Sequence, residues 1–217
     1  MDSKTDTALR RLESILPLHS GLQSLGSEDA ALYCRLLDSY VQRGRTLSRD
    51  EVAGLVGDAE ATLNRLVDSR LIVLDADGNT AGAYPFTSQQ REHRVHINGV
   101  MVHCMCALDA LAVSPMFGLP AVIESVCRVT GQAIHLEQNG TSLDGTLNAC
   151  FGIDWGAAAG DVVCAESLCL EMMFLADTDV AGRWRAGSPQ TRETFDLPAA
   201  VEFAAAFFVP LHEHCRQ

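Results

Sequence analysis

Apolar residues recur at helical spacing through 27–42, where Leu32, Leu36, Leu37, Tyr40 and Val41 share one face, and that period predicts a helix. Ser48-Arg49-Asp50-Glu51 fits a capping box ahead of a short helix ending near Gly57, because Ser and Glu three residues apart can satisfy each other's backbone donors. A further helix is expected over 58–69, its apolar side carried by Ala59, Leu63, Leu66 and Val67. The pattern then shortens to that of strands: 71–74, a turn at 75–78, and a return toward Tyr84. Three helices followed by a hairpin is the order of a winged-helix domain, which places an N-terminal domain at 26–84. Ahead of it, residues 1–25 read as a polar leader with one weakly amphipathic patch at 9–16.

From Pro85 onward strands and loops dominate. Segments 93–97 and 100–104 alternate around Asn98-Gly99, a strong hairpin signal. Helical character follows through Ala112 and is expected to stop near Pro115. Segments 122–130 and 133–138 read as a second strand pair turning at Gly131. The Gly- and Ala-rich stretch 139–160 has no clear period, and 162–175 fits either a buried strand or a helix. Helices are expected at 178–184 and 198–212. The resulting class is α+β: a winged-helix-like N-terminal helical domain, then a core over 85–217 of small antiparallel sheets with flanking helices.

Composition narrows the function. With 47% hydrophobic and 6% aromatic residues, 217 residues can bury a core that should be aliphatic and sulfur-rich. Charges interrupt residues 1–20, which argues against a secretory signal, and Glu202 and Asp109 break the two most apolar stretches. A soluble, cytoplasmic protein without membrane partners is expected. The net charge of −12 disfavours non-specific nucleic-acid binding, which relies on neutralising phosphates. Within 48–70, Arg49, Arg65 and Arg70 face Asp50, Glu51, Asp58, Glu60 and Asp68. A recognition helix so acidic would be repelled by DNA, so this region reads as structural or substrate-covering.

The chemistry rests on sulfur. Eight cysteines, at 34, 104, 106, 127, 150, 164, 169 and 215, sit in a chain too large and apolar to need a disulfide framework. Most are expected reduced, with Cys34 and Cys150 as small buried hydrophobes. Cys106-Ala107-Leu108-Asp109 stands out. Cys106 falls where a helix should begin, and the helix N-terminus should favour its thiolate. Asp109, three residues on, shares its face and could exchange a proton with a ligand held on that sulfur. Asp109 could instead cap a neighbouring turn. Cys104 could add a third sulfur or belong to a strand's buried face, and His103 should point the other way. Cys164 and Cys169 lie in one apolar run whose period does not say which faces the site. No His-Glu-x-x-His, Cys-x-x-Cys, phosphate-binding loop or Gly-x-Ser-x-Gly motif occurs. Thiols beside one carboxyl suit a soft metal centre better than hydrolysis.

These residues resemble a known family, the organomercurial (alkylmercury) lyases. His93-Arg94-Val95-His96-Ile97-Asn98-Gly99 is similar to the strand and turn before that family's first catalytic cysteine, and Cys106-Ala107-Leu108-Asp109-Ala110-Leu111 to its most specific motif. Val126-Cys127-Arg128-Val129-Thr130-Gly131 resembles a downstream Cys…Thr-Gly turn. Cys169 with Met173-Phe174-Leu175-Ala176-Asp177 resembles the second catalytic cysteine and the strand behind it. The likeness spans roughly 28–215 and is closest over 93–131. It departs at Met105, where the family has an aromatic residue, and at Leu170-Glu171-Met172-Met173, where it has His and aromatics.

The resemblance implies carbon–mercury protonolysis with Cys106 and Cys169 as mercury-binding thiols, Asp109 as the proton-transfer acid and Cys127 as structural. It implies no organic cofactor, an organomercurial substrate, Hg(II) as the bound product, and removal of that product by small-molecule thiols or a mercuric reductase. Two alternatives remain. A divergent member could bind Hg, Cu or Zn through Cys104, Cys106, Cys164 and Cys169, or act on another substrate, without cleaving carbon from mercury. A winged-helix regulator with a C-terminal ligand-binding domain is the other.

Overall fold

A computed structural model describes residues 3–158 and 162–216. The first two residues of the leader, the end of the Gly/Ala-rich stretch at 159–160, residue 161 and residue 217 lie outside the described residues. The leader is more ordered than its polarity suggests. It forms α1 (Ser3–Ile15) and α2 (Leu18–Ser24), which bury Ala8, Leu12, Leu18 and Leu22 against the C-terminal helix. Then come α3 (Ser27–Arg43), α4 (Arg49–Ala53), α5 (Ala59–Asp68) and the strands β1 (Ile72–Leu74) and β2 (Thr80–Ala83), in the order read from the sequence. Ser48 and Glu51 form the expected capping box. Arg65 donates to both carboxylate oxygens of Asp29 at 2.6 and 2.7 Å, tying α5 to α3.

The remaining elements are β3 (Phe86–Thr87), β4 (Arg94–Ile97), β5 (Val100–Cys104), α6 (Ala107–Phe117), β6 (Ala121–Val126), β7 (Ala133–Asn139), β8 (Ser142–Gly145), β9 (Cys150–Asp154), β10 (Met172–Leu175), α7 (Thr178–Ala186), β11 (Arg192–Asp196) and α8 (Leu197–Cys215). The class is α+β, with two antiparallel sheets. One has eight strands in the order β1-β2-β3-β5-β4-β6-β7-β8, and the other is β10-β9-β11. The β1–β2 hairpin is the edge of the larger sheet, joined to it through β3. The ambiguous run 162–175 resolves into two short 3-10 turns, Cys164–Glu166 and Leu168–Glu171, followed by β10. A mixture of turn and strand explains why no single period emerged there.

One face of the large sheet is apolar by strict alternation: Val95 and Ile97, Val102 and Cys104, Ala121 and Ile123, Ile134 and Leu136 are all buried. Helix α6 lies on that face and is covered by α8 and β10. Apart from Asp109 and Ser114 it is apolar all round, as suits a helix enclosed on every side. The few aromatics concentrate where α8 meets the small sheet, with Phe151, Phe195 and Phe203 at 5.9–6.4 Å between ring centroids.

Helix α6 does not stop at Pro115 but continues to Phe117. Proline has no N–H for the carbonyl four residues back, and that carbonyl belongs to Leu111. The buried Gln138 side chain supplies the missing donor, its Nε2 lying 2.8 Å from the Leu111 oxygen. Gln138→Leu should therefore lower stability by about 1–3 kcal/mol, the cost of a buried unpaired carbonyl, measured by denaturant unfolding with the slope unchanged. An unaltered midpoint would show that the bond is dispensable.

Cys34 is not the free buried thiol expected from the sequence but forms a disulfide with Cys215, 181 residues away. Helices α3 and α8 pack side by side, which brings the two Cα atoms to 5.4 Å, within bridging range. The other six cysteines are free and buried.

Candidate active site

Strand β5 delivers the chain to Cys106. Its extended backbone makes it the N-cap of α6, and its sulfur accepts from the backbone N–H of Asp109 at 3.4 Å. One turn of helix then brings the Asp109 carboxyl back over that sulfur. From the other side, the 3-10 turn Leu168–Glu171, fixed by the pairing of β10 with β9, supplies Cys169. The ligand atoms of Cys106, Asp109 and Cys169 all lie within 4.8 Å of one another. The three residues are 1%, 2% and 2% exposed.

The sulfurs form a line. Cys164 and Cys169 are 3.6 Å apart at Sγ, Cys169 hydrogen-bonds onward to Cys106, and Cys106 meets the Met172 thioether at 3.5 Å. Cys104 is buried on β5 beside this group but does not belong to the three-residue cluster. His103 turns to the other face of β5, its Nδ1 2.8 Å from the carbonyl of Arg91. Cys127 packs elsewhere, against Cys150, Met173 and Leu175. Gly82 clears the space beside this site: a Cβ there would lie 2.5 Å from the Met105 methyl and 2.9 Å from the Phe86 carbonyl.

Burial dominates the electrostatics. It pushes the Cys106 thiol up to about 12, despite the hydrogen bonds its sulfur receives from Cys169 and the Asp109 amide. This reverses the expectation of a helix-stabilised thiolate: one N–H and the end of a helix do not replace the water lost by a fully buried anion. Cys169 is also pushed well up, first by its hydrogen bonds to Cys106 and Cys164 and then by burial. Asp109 is raised to about 7 by burial, only partly countered by Cys106 and by the Arg91 charge. Its Oδ2 is buried with no hydrogen-bond partner among the described residues. The resting site thus holds neutral thiols beside a carboxyl that can carry a proton either way near neutral pH.

Two tyrosines close the site from the N-terminal segment. Tyr33 on α3 is fully buried and donates from its hydroxyl to the Tyr84 carbonyl at 2.9 Å. Burial, then the neighbouring Cys169, Cys164 and Asp109, holds the Tyr84 phenol protonated. Neither tyrosine stood out in the sequence, and neither did Met172 as a partner of Cys106. Their only signal was position: Met172 follows Cys169 closely, and Tyr84 ends the predicted hairpin.

Two thiols and a proton-carrying carboxyl, buried together within 4.8 Å, suit a soft, thiophilic electrophile. Comparison with known proteins makes the class specific. The family model "MerB: Alkylmercury lyase" matches residues 86–209, more than half the chain. An alkylmercury lyase of Pseudomonas putida is 27% identical over 168 residues, which cover 75% of this chain and 76% of that protein. Among solved structures, the mercury-bound form of MerB2 superposes with a TM-score of 0.74 at 18% identity, covering 93% of this chain and 98% of the other. The chain belongs to the alkylmercury lyase family, enzymes of carbon–mercury cleavage. No helix among the described residues is long and apolar enough to cross a membrane.

Proposed function

We propose that this chain cleaves organomercurials by protonolysis, with Cys106 and Cys169 as the mercury-binding thiols and Asp109 as the proton carrier. The observation that carries this reading is the buried convergence of these three groups within 4.8 Å. The organomercurial first reacts with one thiol: a sulfur–mercury bond forms as the bond from mercury to its leaving ligand breaks, and that ligand carries the thiol proton away. Mercury's affinity for sulfur outweighs a thiol raised by burial, because coordination to a soft cation deprotonates a thiol outright. The second thiol then gives its proton to the Asp109 carboxylate and binds the same mercury. Two sulfur donors weaken the carbon–mercury bond. Protonated Asp109 delivers its proton to the departing carbon, so hydrocarbon leaves and Hg(II) stays on two sulfurs, with Asp109 again a carboxylate.

The dry surroundings serve this sequence, since a proton held at Asp109 is not lost to bulk water before it reaches carbon. The segment 26–84 contributes Tyr33 and Tyr84 as a cover over the thiols. No organic cofactor takes part. Exogenous thiols would remove Hg(II) as a dithiolate, returning two protons to the cysteines, and a mercuric reductase is the protein partner of matching chemistry. Incubation with phenylmercuric acetate and excess thiol should release benzene over many turnovers, measured in the headspace. Stoichiometric mercury uptake without benzene would overturn the lyase reading in favour of a divergent member that binds metal or acts on another substrate.

A further inference from the structure

The three reacting residues are sealed, yet their product is a metal ion that must leave. Cys164, buried but 7% exposed, is the cysteine beside them that lies nearest the outside. It lines two adjoining surface cavities of about 560 and 240 Å³, which share Arg70, Val162 and Cys164. Tyr84 lines the larger one, so that surface cavity reaches the residue that covers the site. On its inner side, the Cys164 sulfur lies 3.6 Å from that of Cys169. A thiol pair this close is within reach of a shared two-coordinate mercury after small side-chain adjustment. The cleavage steps above use Cys106, Cys169 and Asp109, and they leave Cys164 without a role.

We propose that Cys164 and Cys169 form a second, outward mercury position through which Hg(II) is handed to incoming thiols. This rests on the lyase reading for the origin of the ion, though not for its passage. The exchange balances without redox chemistry. A bond forms from mercury to the Cys164 sulfur, the bond to the Cys106 sulfur breaks, and the Cys164 proton passes to Cys106. An exogenous thiol in the surface cavity then attacks mercury on Cys164 rather than in the closed core. Each exchange replaces one sulfur by another, so no step releases a bare ion.

The test loads the protein with one equivalent of mercuric chloride and follows transfer of the metal to a chromophoric dithiol. In Cys164→Ser and Cys164→Ala, release should slow by about tenfold or more, since a neighbouring thiol at high effective concentration is lost. The first equivalent of benzene from phenylmercury should still form. Release as fast as in the parent protein would overturn the proposal, and so would an equal loss of the first benzene equivalent, which would put Cys164 in cleavage itself. A readout independent of the variants uses the parent protein: one equivalent of Hg(II) should protect Cys164 from alkylation, and equal labelling with and without mercury would also overturn it. If the parent protein yields no benzene, the lyase reading fails while the mercuric chloride experiment still decides the relay.

Discussion

Asp109→Asn should abolish turnover and at the same time make the protein more stable. The loss of activity follows from removing the group that carries the proton from thiol to carbon, an effect on the order of 10²–10⁴-fold for general acid–base catalysis. The gain in stability follows from burial. In the unfolded chain the carboxyl loses its proton near its ordinary 3.8, whereas in the folded protein it keeps the proton until about 7. Between those values the native state binds more protons than the unfolded state, so stability falls as pH rises and levels off above the upper value. Asparagine carries no such loss. The variant and the parent should therefore be alike near pH 4 and diverge toward pH 7, by several kcal/mol in the variant's favour. Urea unfolding across that range measures the divergence. A variant less stable than the parent at pH 8 would mean that the carboxylate is paired in a way that its burial and unpartnered Oδ2 do not suggest.

Cys106→Ser should be nearly silent in the fold and severe in function. Serine keeps the N-cap position, where a hydroxyl oxygen accepts from the Asp109 amide as well as sulfur does, so the melting temperature should move little. A hydroxyl is a hard, weak ligand for mercury and cannot share the ion with Cys169. Benzene release should drop by ~10³-fold or more, as when a nucleophile acting as part of a unit is removed. Cys169→Ser should lose turnover to a similar degree. Substantial turnover by Cys106→Ser would remove it from the reacting set.

The parts of this arrangement that were legible in the sequence are those made by neighbours along the chain. Cys106 and Asp109 are three residues apart on one helix, so their meeting follows from helical geometry alone. The Ser48 capping box and the Asn98-Gly99 hairpin are local in the same sense. Cys169 is 63 positions from Cys106, and only its resemblance to the family pointed to it; no period could choose between it and Cys164, because each sits in a short 3-10 turn. The site's cover was hidden for the same reason. Tyr33 reaches Tyr84 across 51 residues, and the Cys34–Cys215 bridge joins opposite ends of the chain. The helix runs two residues past Pro115 because Gln138, from a strand far downstream, supplies the donor that the proline lacks. The Cys106 thiol is pushed up and not down because depth of burial, which the sequence does not display, outweighs the helix end, which it does.

The proton that reaches carbon is an exchangeable one carried by Asp109. A single turnover of phenylmercury in D₂O, by the parent protein and by Asp109→Asn, with the evolved benzene read by mass spectrometry, decides this. One equivalent of monodeuterated benzene per parent protein, with Hg(II) retained on the chain until thiol is added, and little or none from Asp109→Asn, is the expected result. Unlabelled benzene, or labelled benzene formed equally fast by Asp109→Asn, would contradict it.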